Sequence, residues 1–182
     1  AIETNKNYAV KVKLATDVLK SDIQEAGLII LHQLPSVTNN AQDVILLSAN
    51  KPLLYILGSQ SNIPAFVASQ FILEITSSGV MQEVTPVLKS DFYAFTLSDA
   101  NKLKIGNFGP LLSPFGNYGL KGPSTVFITQ QIGKLATEKP LLVFGDDNQR
   151  RIGVLAAEGI WKWRLEDFQE NANHDATNEL IQ

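Results

Sequence analysis

Residues 28–58, LIILHQLPSVTNNAQDVILLSANKPLLYILG, determine the fold class. Two continuous apolar runs, residues 28–31 and 53–57, have the length and composition of strands that are covered on both faces. Between them lie a cluster of turn-forming residues at 35–40 and a helical segment at 41–49. The order strand, helix, strand predicts a right-handed βαβ unit in which the two strands are adjacent, parallel and inside the sheet.

The segment before this unit continues the alternation of strand and helix. Residues 8–14 alternate with period two, with Lys11 and Lys13 on the wetter face, which predicts a strand near a sheet edge. Residues 16–26 carry apolar side chains at helical spacing, and Gly27 ends that helix.

The middle of the chain is less regular. Residues 72–75 and 81–88 are predicted to be short strands that form a hairpin around Ser78-Gly79. A short helix capped by Ser98 is predicted at 98–105. Residues 106–123 contain five glycines and three prolines, which predicts a long loop.

Regular patterns return in the last third of the chain. An antiparallel hairpin follows from two apolar segments that flank the acidic turn at 146–148. The strands predicted here span residues 125–132, 140–145 and 151–156, and the helices span 159–170 and 173–181. The whole pattern predicts one domain over residues 1–182, a flavodoxin-like three-layer α/β sandwich with a mostly parallel sheet and an antiparallel hairpin at one side.

Composition excludes several classes of function. The chain has 182 residues, 45% of them hydrophobic, and its net charge of -3 gives no electrostatic reason to expect nucleic-acid binding. It contains no cysteine, which excludes disulfides, thiolate zinc sites and a catalytic thiol. The two histidines lack metal-ligand spacing, no cofactor motif is present, and the apolar runs are too short to place this domain in a membrane.

Polar side chains follow three predicted strands. In open parallel sheets, ligands bind beyond the carboxyl ends of the strands. The candidate ligand-binding residues at these ends are His32, Gln33, Ser59, Gln60, Asn62 and Glu158, together with Trp161 just beyond.

The catalytic alternative is a serine-type hydrolase. It would use Ser59 or Ser61 as nucleophile, with His32 as base and Glu158 beside it. However, Gly58-Ser59-Gln60-Ser61-Asn62 lacks the Gly-x-Ser-x-Gly pattern of a nucleophile elbow. The sequence therefore favours a polar turn whose side chains hold the backbone and a neighbouring loop.

The aromatic residues after Glu158 offer another alternative, a carbohydrate-binding module. Trp161 or Trp163 could stack on a sugar or a base. Against this, Trp161, Leu165 and Phe168 share one helical face, and such a stripe is typical of a core contact.

Several segments resemble a large-protein family of Bacteroidetes with a class I glutamine amidotransferase-like domain. They are ILHQLP at 30–35, PLLSPFG at 110–116, TQQIG at 129–133, PLLVF at 140–144 and EGIWKWRL at 158–165. The resemblance implies a flavodoxin-like fold inside a membrane-anchored protein whose membrane spans lie outside this domain. It implies a place in the cell envelope on the periplasmic side of the inner membrane, with the cytoplasm as the alternative.

The resemblance to this family also has an implication for catalytic activity. Amidotransferases of this class need a cysteine at the turn after a central strand, and Gly58-Ser59-Gln60 occupies that turn without one. We therefore expect a non-catalytic binding or scaffolding domain of a larger cell-envelope protein. Its expected partners are the other domains of that protein.

The first residues suggest a second kind of partner. Residues 1–7 have the pattern of the last turns of a helix, so we expect a strand to precede them in a longer chain. In the commonest flavodoxin-like order that strand would lie between residues 8–14 and 28–31. Either these two segments pair directly, or a segment of another copy inserts between them and forms a homodimer.

Overall fold

The computed structural model describes residues 7–147 and 150–181, and in these residues seven strands form one sheet in the order β1-β2-β7-β6-β5-β3-β4. The strands are β1 Ile29–His32, β2 Leu53–Ile56, β3 Leu73–Leu88, β4 Leu111–Leu120, β5 Ser124–Ile132, β6 Leu135–Asp147 and β7 Arg150–Leu155. The helices are α1 Lys20–Glu25, α2 Gln42–Leu47, α3 Ile63–Ser69, α4 Asp99–Gly106, α5 Trp161–Asn171 and α6 Asp175–Ile181.

The predicted βαβ unit is present. β1 and β2 pair in parallel, with Ile29 opposite Leu53 and His32 opposite Ile56. β2 in turn pairs in parallel with β7. β1 lies at one end of the strand order, so it is an edge strand rather than an inner one.

The prediction of a mostly parallel, flavodoxin-like sheet is wrong. The pairs β7–β6, β6–β5, β5–β3 and β3–β4 are all antiparallel, which makes a mixed sheet with only two parallel pairs among the described strands. The β6–β7 hairpin was predicted, but it joins the two halves of the sheet instead of lying at one side. A strand covered on both faces is apolar whichever way its neighbour runs, so the apolar runs could not report direction.

Helices cover both faces of this sheet. One core cluster includes Ile23 of α1, Val44 of α2 and Phe66 of α3. The other includes Ile105 of α4 and Trp163 of α5. The strands alternate between the two clusters, as a period of two requires: Ile152 and Val154 of β7 contribute to the first cluster, and Leu155 to the second.

The predicted loop at 106–123 is wrong, because most of it is strand β4. β4 pairs with β3, which runs continuously through Ser78-Gly79 in place of the predicted hairpin. The turn-forming pair instead produces an irregularity between Ser77 and Met81, where Gly79 has a φ of 82°. The predicted helix at 98–105 is confirmed, and the Ser98 side chain accepts a hydrogen bond from the Asn101 N–H.

The predicted strand at 8–14 is also wrong. These residues form no strand, and their apolar members are exposed. The side chains of Lys11 and Lys13 attach the segment to Asp22 of α1, at 3.1 and 2.5 Å. The expected gap between residues 8–14 and 28–31 therefore has no basis in the sheet, and the predicted helix end at residues 1–6 lies outside the described residues.

The attachment of residues 8–14 should depend on pH. Hydrogen bonds from Lys13, the Leu19 N–H and Lys11 hold the pKa of Asp22 well below its usual range. A carboxyl group whose pKa is depressed in the folded state contributes its full stabilisation above its unfolded-state pKa of about 4. That stabilisation is lost as the pH falls toward the folded-state pKa. We expect Asp22→Asn to lower the thermal unfolding midpoint at pH 7, and the difference from wild type to shrink below about pH 4.

The matched control is Asp17→Asn, since Asp17 accepts a hydrogen bond from its neighbour Thr16 and, within residues 7–147 and 150–181, none from a lysine. A midpoint shift for Asp22→Asn that matches the control, or that does not change with pH, would argue against this attachment.

Candidate functional site

The carboxyl ends of β1, β2 and β7 meet at one edge of the sheet, because these three strands are parallel neighbours. Four polar residues from three distant parts of the chain come together there. They are Gln33 after β1, Ser59 and Gln60 after β2, and Glu158 after β7, and we call this group the strand-end crevice.

The Glu158 carboxylate is the centre of the crevice. Its Oε2 atom accepts hydrogen bonds from the Ser59 N–H at 2.8 Å, the Ser59 Oγ at 3.1 Å and the Gln33 Nε2 at 3.1 Å. The Gln33 Oε1 accepts a bond from the Gln60 N–H at 2.8 Å. The two side chains thus hold the β2–α3 turn from both sides, and Glu158 makes the charge-assisted bonds of the group.

Backbone contacts with β4 position Glu158. The Glu158 N–H donates to the Leu112 carbonyl at 2.8 Å, and the Leu112 N–H donates to the Glu158 carbonyl at 3.2 Å. Two residues earlier, the Ser113 hydroxyl donates to the Ala156 carbonyl at 2.6 Å. The first part of β4 therefore closes against the end of β7 and fixes the direction of the carboxylate.

Gly58 leaves the space that the crevice needs. A Cβ atom at this position would lie 2.3 Å from the Glu158 Oε2 and 2.6 Å from the Gln33 Cδ. Any other residue would push the two side chains apart and break their bonds to the turn.

The structure brings Ser59 and Glu158 of the hydrolase candidates together, but not the proposed base His32. The Ser59 hydroxyl donates to Glu158, and the Ser61 Oγ accepts a bond from the Gly58 N–H at 3.0 Å. His32 is exposed, and in the described part of the chain no hydrogen bond joins it to either serine. Asn62 caps α3, with its Oδ1 accepting from the Ala65 N–H at 3.1 Å. The side chains of Ser59, Ser61 and Asn62 thus each make a local structural contact in the turn after β2 or at the start of α3.

The two tryptophans have opposite environments. Trp163 is fully buried, its Nε1 donates to the Gly109 carbonyl at 2.9 Å, and its ring lies 5.5 Å from that of Phe108. Trp161 is 66% exposed, and Leu165 and Phe168 on the same face are 49% and 52% exposed. The expectation that this aromatic stripe forms a core contact is wrong, because α5 buries its other face through Trp163 and Asp167.

Trp161 also borders a shallow groove between α5 and α6. The groove has a volume of about 190 Å³ and a predominantly apolar lining, formed by Ile160, Trp161, Arg164, Thr177, Leu180 and Ile181. The Arg164 Nη1 donates to the Asn178 Oδ1 at 2.8 Å, which ties α5 to α6 beside the groove. Such a lining suits an apolar side chain better than a sugar, whose hydroxyls need hydrogen-bond partners.

Other polar clusters do not form a site. In residues 7–147 and 150–181, no group of three or more His, Cys, Asp or Glu side chains is arranged to hold a metal ion. Asp147 of the predicted acidic turn pairs with Arg150 at 3.0 Å, and Asn148 lies outside the described residues. His174 stacks on Phe168 with ring centroids 5.2 Å apart. No described helix has the length and apolar character needed to cross a membrane.

Sequence reasoning missed two contributors to the crevice. Leu112 positions Glu158 through its backbone alone, so its side chain carried no signal. In the sequence Gly58 is only part of the turn after a strand, whereas in the structure it also allows the Glu158 and Gln33 side chains to approach closely. The only available sign of this role would have been that Gly58, which has no side chain, lies where the polar side chains of Glu158 and Gln33 converge.

The fold is similar to that of two cytoplasmic proteins of Salmonella typhimurium. Protein STM3548 matches with a TM-score of 0.54 and 13% identity over 92% of this chain and 76% of its own. Protein STM1381 matches with a TM-score of 0.53 and 18% identity over 87% of this chain and 71% of its own. At these identities the similarity concerns the fold alone. No protein-family model matches the chain, and no curated protein matches its sequence.

Proposed function

We propose that this domain is a non-catalytic binding or scaffolding module of a larger protein. The observation that supports it is the use of Glu158, whose carboxylate oxygen accepts three hydrogen bonds from Gln33 and Ser59. A general acid or base must reach a substrate proton, and an oxygen already bound to three donors is poorly suited to that task. The crevice thus serves to hold the β2–α3 turn.

The proposal of a larger parent protein is based on the resemblance of several segments to the glutamine amidotransferase-like family of Bacteroidetes. The similarity to the Salmonella proteins does not bear on it. The cytoplasm has better support than the periplasmic side of the inner membrane, since both similar Salmonella structures are of cytoplasmic proteins.

A carbohydrate-binding role is the second candidate. The exposed indole of Trp161 favours it, and the burial of Trp163 leaves Trp161 as the stacking surface. The apolar lining of the groove supports it less, as described above.

The first test measures the stability and reactivity of the crevice. We expect Glu158→Ala to lower the free energy of unfolding by about 1–3 kcal/mol, because the Ser59 and Gln33 donors lose their acceptor. The matched control is Glu74→Ala, which removes an exposed carboxylate of β3 that makes no hydrogen bond among the described residues, and it should change stability by less than about 0.5 kcal/mol. Urea unfolding of each variant gives these values.

The same preparations are then treated with a fluorophosphonate probe, which labels activated serines. We expect no labelling of the wild type. Labelling that disappears in either Ser59→Ala or Ser61→Ala would establish a serine hydrolase and overturn the proposal.

A further inference from the structure

Residues 90–97, which we call the strap, connect β3 to α4 on the sheet face that α5 also covers. The strap forms neither helix nor strand. Within the described part of the chain, its backbone and its polar side chains make no hydrogen bond and no ion pair. Segments with few such bonds open at a low cost in free energy. The strap is therefore held to the domain by its apolar side chains.

Two phenyl rings attach the strap to the sheet. The Phe92 ring lies 4.6 Å from the ring of Phe127 on β5 and 6.2 Å from the ring of Phe144 on β6. The Phe95 ring lies 4.9 and 5.7 Å from the same two rings. These centroid distances are typical of favourable aromatic pairs. Both strap rings thus contact Phe127 and Phe144, which we call the sheet pair.

The two ends of the strap are held separately from its middle. Just before it, the Lys89 N–H donates to the Phe127 carbonyl at 3.0 Å. Just after it, the Ser98 N–H and hydroxyl donate to the two carboxylate oxygens of Glu179 on α6, at 2.9 and 3.0 Å. Leu97 is 3% exposed and belongs to the core. Because these contacts do not involve the middle of the strap, the middle can lift while both ends remain in place.

The middle of the strap is lightly covered, whereas the sheet beneath it is not. Residues 93–96 are all exposed, with Tyr93 at 84% and Phe95 at 38%. Phe127 is 4% exposed and lies under both strap rings. Lifting the strap would uncover two phenyl rings side by side on neighbouring strands, which is a surface suited to aromatic side chains.

We propose that the strap is an autoinhibitory segment, and that the sheet pair beneath it binds a segment of a partner protein with two aromatic side chains three residues apart. This inference rests on the proposed binding function and names its surface and its partner. The strap itself shows the chemistry of the occupant, because Phe92 and Phe95 have this spacing and sit on the sheet pair without any backbone hydrogen bond. A partner segment with the same spacing can make the same ring contacts in its place.

The strap lowers the apparent affinity for such a partner. The partner binds only the molecules whose strap is open, so the apparent Kd equals the intrinsic Kd divided by the open fraction. Loosening the strap raises that fraction and strengthens binding. Because two ring contacts without backbone bonds form a small interface, we expect an intrinsic Kd on the order of 10–100 µM.

Fluorescence anisotropy with a labelled synthetic peptide of residues 89–98 tests the proposal. The loosened variant, which combines Phe92→Ser with Phe95→Ser, should bind the peptide at least about tenfold more tightly than the wild type does. The matched control is Tyr93→Ser, which changes a strap ring that is exposed and makes no ring contact among the described residues. It should bind like the wild type. A peptide with both phenylalanines replaced by serine should not bind.

A further substitution locates the binding surface. Adding Phe144→Leu to the loosened variant should weaken peptide binding several-fold, because the peptide rings lose one member of the sheet pair. Circular dichroism of each variant checks that the fold is kept. If the loosened variant does not fold, Phe95→Ser alone is used, and it should bind the peptide several-fold more tightly than the wild type.

A folded loosened variant that does not bind the peptide at about 1 mM would overturn the proposal, as would one that binds the serine peptide equally well. Sedimentation velocity of the wild type at about 500 µM tests the source of the segment. A dimer that Phe95→Ser abolishes would replace the partner protein with the strap of a second copy. Failed peptide binding without fluorophosphonate labelling would refute this surface alone, whereas labelling would overturn the non-catalytic proposal.

Discussion

Replacing Trp163 by alanine is expected to lower the free energy of unfolding by about 3–5 kcal/mol, the range for a fully buried large aromatic side chain. Trp163 lies in the core cluster between the sheet and α4–α6, against the ring of Phe108. Its removal leaves a cavity, and the Gly109 carbonyl loses the Nε1–H that it accepts at 2.9 Å. Urea unfolding monitored by far-ultraviolet circular dichroism measures the change.

Trp161 provides a control two residues away on the same helix. Trp161→Ala removes the same side chain from an exposed position and should change stability by less than about 0.5 kcal/mol. Equal losses for the two variants would show that the assignment of buried and exposed faces of α5 is wrong.

Gly116→Ala is expected to cost about 1–3 kcal/mol or more, the range for overpacking a close contact. A Cβ at Gly116 of β4 would lie 2.1 Å from the Thr76 carbonyl oxygen and 2.9 Å from the Ser77 Cα. Both are backbone atoms of β3, so no side-chain rotation can make room. The two strands must move apart next to the irregularity between Ser77 and Met81.

Gly119→Ala is the matched change in the same strand. The nearest atom to a Cβ there is the Glu74 Cβ at 4.0 Å, which is ordinary contact. We expect this variant to be neutral or slightly stabilising, because alanine restricts the unfolded chain more than glycine does. If thermal unfolding gives the same midpoint for both variants, the close approach of β4 to β3 is not a constraint.

The elements that could be predicted from the sequence are those with a strong local pattern. The apolar run before Gly58 and the helix after Ser98 were placed within a few residues of their true ends. The β6–β7 hairpin was also predicted, because turn-forming residues separate two apolar segments. Each of these patterns involves only residues that are close together in the chain, so it can be read from the sequence.

The candidate site was predicted in part, for a related reason. Polar residues after three strands were expected at one edge of the sheet, and Gln33, Ser59 and Glu158 do meet there. Gln33 and Glu158 are 125 positions apart, and the parallel order of β1, β2 and β7 brings them together. The sequence could not show that Ser59 would bond to Glu158 and not to His32. That choice depends on distances of a few ångströms, which no local pattern reports.

The sequence alone determined that this is a cysteine-free α/β protein and where most of its apolar segments lie, because composition and periodicity are properties of the chain itself. Tertiary structure alone decided the direction of the strands after β2, the use of Gly116 for close approach, and the burial of Trp163 instead of Trp161. Periodicity shows that a helix has an apolar face, but the elements packed against it decide which face is covered. In α5 the contact with Gly109 and Phe108 selects the face of Trp163, and the stripe of Trp161, Leu165 and Phe168 is left to solvent.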